Sequence, residues 1–212
     1  IEKLIKKWEA VRNLYEFTNK DGISAYALAL YDISEKNTLQ FKQLAINHLD
    51  ESYLFTYCER PKNEILSFCK RLADKNYFYT PSGPTLIAKN NTCGYTTLDY
   101  HGLVIWAKQA AFVVLGLSKH LKIGIEASWD HDILHIIKET IQLVCESVIS
   151  ALVKLGAIPE LHYDKNGEPR FYTDQSFSGS QMSKVQLWSS VGARRMLKKY
   201  AELKTNLKYN KI

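Results

Sequence analysis

Cysteine is scarce and unpatterned in this chain: four in 212 residues, Cys58, Cys69, Cys93 and Cys145, none in a Cys-x-x-Cys spacing. That argues against a zinc ribbon and a disulfide-stapled scaffold, and free thiols suit a reducing, cytoplasmic setting. No apolar run reaches the length that spans a bilayer and no secretory leader is visible, so no membrane partner is expected. A glycine-rich phosphate cradle, a nucleophile elbow and any short solenoid-type repeat are also missing. Strand signals are sparse and no β-α alternation occurs, which predicts an all-α class. The net charge of +6 is mild. Much of the excess lies late, in Arg194, Arg195, Lys198, Lys199, Lys204, Lys208 and Lys211. Base-stacking aromatics are not interleaved among these residues. The cluster therefore reads as the solvated face of a terminal helix, with no nucleic-acid partner expected; steep salt dependence of DNA or RNA binding would reverse that reading.

What is present is helical periodicity. Residues 1–18 place Leu4, Ile5, Trp8, Val11, Leu14 and Tyr15 at helical spacing until Asp21-Gly22 breaks the pattern. The alanines of residues 23–33 favour a second helix, residues 39–49 read as a third, and Pro61 introduces a fourth over residues 62–73. Between residues 76 and 100 the period vanishes into tyrosines, prolines and glycines, which predicts a long, ordered, non-helical excursion. Residues 103–121 are apolar nearly all round and predict a helix buried on most faces. Residues 133–155 form the longest amphipathic stretch, and residues 184–203 the last.

Chemistry concentrates at two places. Glu160 follows Pro159 where the longest helix has just ended. Proline fixes its own φ and removes a donor, so this carboxylate is expected on a stiff loop. The turn residues Asp164-Lys165-Asn166-Gly167 follow, and the next helix opens on Trp188-Ser189. A rigid acid beside aromatic and amide groups suits hydrolysis of a glycosidic bond; the alternative is a loop glutamate in solvent. The second place is Asp99 to Trp106, at the mouth of the most apolar helix. Its aromatics could stack on a sugar or simply plug the core. His131 and His135 stand at i and i+4 without a third ligand, so no metal is expected.

Several runs resemble one family in order along the chain. They are Tyr57 to Pro61, residues 63–72, Phe78-Tyr79-Thr80-Pro81-Ser82-Gly83-Pro84, Tyr100-His101-Gly102, Val104-Ile105-Trp106, Gln109-Ala110-Ala111, Gly116 to Leu121, Pro159-Glu160-Leu161 and Gln186-Leu187-Trp188-Ser189-Ser190-Val191. Together they are similar to the six-hairpin glycosidases, the group of glucoamylases and glycogen-debranching-type α-1,6-glucosidases. The resemblance implies an (α/α)6 toroid, of which residues 1–212 would be a single domain forming the C-terminal half. It implies a glycoside hydrolase that cleaves α-glucosidic bonds with inversion, acting on an α-glucan or a small α-glucoside without metal or organic cofactor. Glu160 would be the general base. Tyr100, His101, Trp106 and Trp188 would shape the subsite for the cleaved sugar, and Gln109 and Gln186 would bind hydroxyls or support the groups that do. The general acid would come from the N-terminal half of the toroid, the implied partner on the same or another chain. Two departures stand out: the arginine that many relatives carry before Thr85-Leu86 is absent, and Ala107-Lys108 occupies a place where an aromatic or proline is common. The rival reading is a non-catalytic helical domain that binds saccharide or another protein.

Overall fold

Pro61 (φ −59°) and the apolar set Ile65, Phe68, Cys69 and Leu72 illustrate how the helices of this chain arise. The proline starts a helix whose i, i+3, i+4, i+7 positions are all buried. The computed structural model describes residues 3, 6, 14–18, 24–27, 29–32, 41–91, 94–172 and 185–205. Among these residues lie five α-helices: α1 (Ser52–Tyr57), α2 (Lys62–Ala73), α3 (Ala107–Glu126), α4 (His131–Leu155) and α5 (Leu187–Thr205). The chain is mostly helical, as expected. Its described N-terminal segments mostly are not. β1 (Glu16–Thr18) pairs antiparallel with β2 (Ser24–Tyr26), and β3 (Ala29–Asp32) pairs antiparallel with β4 (Phe41–Leu44). The helix expected over residues 1–18 has therefore ended before Glu16, although Lys3 and Lys6 are helical. The second and third helices, over residues 23–33 and 39–49, are replaced by strands and by a 3-10 turn at Leu49–Glu51. Short apolar runs carry no decisive period, and here cross-strand pairing overrides the helical preference of alanine.

Helix α3 begins four residues later than the sequence suggests and runs on to Glu126. Trp106 is still extended (φ −120°, ψ 115°). The expectation of deep burial holds: Val104, Ile105, Val113, Val114, Leu117 and Leu121 are fully buried. This helix packs against α1, α4 and α5. Gly116 lets α1 come close, since a Cβ there would lie 2.9 Å from Phe55 Cβ. Helix α4 buries Leu134, Ile137, Ile141, Val144, Val148 and Ala151, an alternation of three and four that keeps one seam on the core. It ends on Gly156 in the left-handed region (φ 63°), which glycine adopts without strain.

At one end of these helices, short extended segments run side by side. Leu49 N–H donates to Leu86 O (2.7 Å), and Leu86 N–H donates to Val104 O (2.8 Å). Ile105 and His162 exchange both backbone bonds, at 2.7 and 3.1 Å. The last segment continues into a hairpin of β5 (His162–Lys165) and β6 (Glu168–Phe171). Its tip is Asn166-Gly167, both with positive φ (56° and 86°), the pairing a tight hairpin turn favours. Asp164 accepts from Gly167 N–H (2.9 Å) and from Ser82 Oγ (2.6 Å), so the hairpin is tied to the excursion of residues 76–100. That excursion is non-helical in its described residues except for a 3-10 turn at Lys89–Asn91, as expected.

His162 is fully buried in this ladder, with Nε2 3.1 Å from Ser82 O. The carbonyl can only accept, so Nε2 carries the proton and the ring is neutral. Burial pushes its pKa down to about 4 from 6.5, only partly offset by the Ser82 carbonyl and the charge of Asp164. The unfolded chain takes up a proton near pH 6.5, the folded chain only near 4. His162 therefore costs nothing above pH 6.5 and destabilises progressively as pH falls toward 4, by about 3 kcal/mol in all. Urea unfolding of wild type and His162→Asn at pH 7 and pH 4.5 checks this. The wild type should lose more stability between the two pH values than the variant; equal losses would refute it.

Candidate functional site

Three segments of the ladder converge at one end. Trp106 follows the third, Glu160 and Leu161 enter the fourth, and the 3-10 turn with Asp50 leaves the first. Because Ile105 and His162 are paired antiparallel, Glu160 is brought to the same end as the first turn of α3. Pro159 is buried and Glu160 half-buried, which agrees with a carboxylate held on a stiff connection.

Glu160 Oε1 accepts a hydrogen bond from the Tyr100 hydroxyl, across 60 residues of sequence. Tyr100 lies against His101 (ring centroids 4.6 Å apart) and edge-on to Tyr172 (6.3 Å), and His101 meets Trp106 edge-on at 6.2 Å. The Trp106 indole N–H is 3.1 Å from both Gln186 Oε1 and Ser189 Oγ. The Ser189 hydroxyl in turn lies 3.0 Å from Gln186 Oε1 and 3.3 Å from Glu160 O. Gln186 N–H also donates to Ile158 O at 3.1 Å, so the start of α5 is locked to the approach to Glu160. One polar network thus joins Glu160, Trp106, Gln186 and Ser189, with Tyr100 and His101 above it.

The electrostatics extend this group. Burial lowers the His101 pKa, and His48 and Lys108 act in the same direction, against the opposing charges of Asp50 and Glu160. A largely neutral imidazole can both donate and accept, as a hydroxyl-rich ligand requires. Burial works to raise the Asp50 pKa, but the hydrogen bond and charge of His48, with His101 and Lys108, hold it below the ordinary value. The Lys108 ammonium lies 4.3 Å from the Trp106 ring centroid, a cation on the face of the indole.

Of the side chains expected at a sugar site, Glu160, Tyr100, His101, Trp106 and Gln186 are therefore brought together. Gln109 is not with them. It is buried, 1% exposed, and its amide donates to Leu49 O (3.2 Å) and Ser52 Oγ (3.0 Å) inside the fold. Its position on the helix faces α1 rather than the open end, and its role is to bolt α3 to the 3-10 turn. Trp188 is 63% exposed on the first turn of α5, while its neighbour Ser189 is the residue that turns inward to Trp106. Sequence reasoning carries Ser189 only as part of a motif, and it misses His48, Asp50 and Lys108 as neighbours of the site. The first two lie in or beside a stretch that reads as helix.

Other chemistries find less support. Cys69 and Cys145 are buried, and burial pushes both thiols up to about 12, far from the thiolate a nucleophile needs. His131 and His135 are exposed and stacked 6.2 Å apart. Among the described residues no group of three or more His, Cys, Asp or Glu side chains is placed to hold a metal ion. No described helix is long and apolar enough to cross a membrane. Neither a protein-family model nor a curated protein matches the chain.

Proposed function

We propose that this chain supplies the general-base side of an inverting glycoside hydrolase acting on α-glucosidic bonds, as the C-terminal half of an (α/α)6 toroid. The observation that carries the reading is the Tyr100–Glu160 hydrogen bond at the mouth of α3, beside Trp106 and Gln186. It joins residues that the family resemblance assigns to one site and that lie 60 positions apart in sequence. In the reaction, the Glu160 carboxylate accepts a proton from a water as that water attacks the anomeric carbon. The Tyr100 hydroxyl fixes the carboxylate through one oxygen and leaves the other for the water. Trp106 and His101 wall the sugar, and Gln186 and Ser189 hold the indole in place. Inversion also needs an acid on the opposite face of the sugar to protonate the leaving oxygen. That group belongs to the N-terminal half of the ring, so the 212-residue chain alone should turn over nothing.

The test is glucose release from malto-oligosaccharides by the chain and by a longer polypeptide carrying the preceding helical hairpins. Activity in the longer protein only is the expected result. Turnover by the chain alone would refute the half-toroid reading, and binding of saccharide without turnover in the longer protein would favour a non-catalytic domain.

A further inference from the structure

We infer that a cavity between α3 and α5 is a binding site for a phosphate dianion, free or carried as a monoester, held by Lys119, Lys122, Lys199 and Ser118. The sugar site lies at the first turn of α3 and contributes no residue to it. Leu115, Ser118, Lys119 and Lys122 stand at i, i+3, i+4 and i+7 and so share one face of α3. Lys199, Glu202 and Leu203 line the cavity from α5 with the same spacing, and the two helices pack against each other. Buried Leu203 gives the space an apolar edge. The cavity measures about 170 Å³, which is room for several groups of the size of water, at about 30 Å³ each.

Three ammonium groups and one carboxylate line this space, three positive charges against one negative, a balance of +2. Lys199 pairs with Glu202 at 2.7 Å. Lys122 meets Glu126 only at 3.9 Å, with both side chains largely exposed. Lys119 forms no ion pair among the described residues. Ser118 supplies a separate sign that a ligand belongs here. Thr56, Thr140, Ser147 and Ser190 each donate their hydroxyl to the carbonyl four residues earlier, the usual resort of a hydroxyl within a helix. Ser118 does not: its oxygen is covered by its neighbours and has no hydrogen-bond partner among the described residues. A covered polar atom left unpaired costs free energy, and the flexible lysine stems beside it can swing to admit a partner from the cavity. The donors select the ligand. Ammonium groups are point charges, unlike the guanidinium fork that matches a planar carboxylate. A phosphate monoester offers three strong acceptor oxygens and a charge near −2, which answers both the number of donors and the balance of +2.

The experiment titrates the full-length protein by calorimetry at low ionic strength with inorganic phosphate, glycerol 3-phosphate and glycerol. Both phosphates are expected to bind and glycerol is not, and the tighter of the two tells whether the free ion or a monoester is the ligand. Lys119→Met and Lys122→Met keep the stems and should each weaken phosphate by about tenfold, and Ser118→Ala by about threefold to tenfold. Glu202→Gln removes the carboxylate that lines the cavity and should tighten binding a few-fold, the opposite sign. Lys165→Met takes the same charge from the β5–β6 hairpin and should change the affinity by less than about twofold. Alanine is favoured over serine within a helix, so Ser118→Ala decides even where a lysine variant folds poorly. The site is overturned if neither phosphate binds at millimolar concentration. A loss in Lys165→Met as large as in Lys119→Met would also overturn it, since net charge alone would then explain the binding. So would an affinity that Ser118→Ala leaves unmoved.

Discussion

Replacing Glu160 by glutamine is expected to lower the rate of glucose release from malto-oligosaccharides by about two to four orders of magnitude in the full-length protein. Glutamine keeps the size of the side chain and one carbonyl oxygen that can still accept from Tyr100, so the network to Trp106, Gln186 and Ser189 need not move. What it removes is the capacity to take a proton from water. If Glu160 is the base proposed above, KM should change little, because the interaction lost is one made in the transition state rather than in the ground state. The melting temperature should stay near that of the wild type, since Glu160 is half-buried at an open end and not part of a core ion pair. Exogenous azide is a small anion that needs no base to attack, and it should restore part of the rate as a glycosyl azide. Full activity in Glu160→Gln would remove this residue from the mechanism. A rate loss accompanied by a large fall in melting temperature would mark it as structural.

The parts of the chain that are legible in the sequence are those where one physical signal dominates. Pro61 and the spacing of Ile65, Phe68, Cys69 and Leu72 place α2 at the observed bounds. The apolar stripe from Ile133 to Leu155 finds α4 to within two residues at its start. Where two signals compete, the reading fails. Phe17 and Tyr26 lie in strands that pair with each other's neighbours, and an isolated window cannot see that pairing. The site divides along the same line. Glu160, Tyr100, Trp106 and Gln186 sit in short motifs near helix ends, and the family resemblance of those motifs, rather than residue type alone, is what groups them. Ser189 lies in one of those motifs, yet its contacts reach Glu160 and Trp106 across 29 and 83 residues. Gln109 shows the reverse: its residue type suits hydroxyl binding, but the direction it faces is set by α1, which no local pattern reveals. Asp50 stays hidden because a helix over residues 39–49 would give no reason to place the next residue at the open end.

Breaking the buried ion pair between Glu51 and Arg71 is expected to cost about 3–5 kcal/mol, a large share of the stability of a domain of this kind. The Arg71 guanidinium contacts both carboxylate oxygens of Glu51, with Nη1 at 2.8 Å from Oε2 and Nη2 against Oε1. Both side chains are sealed, at 1% and 2% exposed, and Phe68 and Phe78 flank the guanidinium at 5.4 and 5.9 Å. Arg71→Met would leave a carboxylate stranded among aromatics, and Glu51→Leu would leave a guanidinium there. For a chain of about 200 residues either single variant should lower the melting temperature by about 10 °C or more. The double variant, with no charge left to desolvate, should recover most of that loss. A single variant within about 1 kcal/mol of wild type in urea unfolding would show the pair to be dispensable. The pair also sets local structure, because Glu51 is the last residue of the 3-10 turn at Leu49–Glu51. Arg71 pins that turn to α2 from below as Gln109 pins it to α3 from the side.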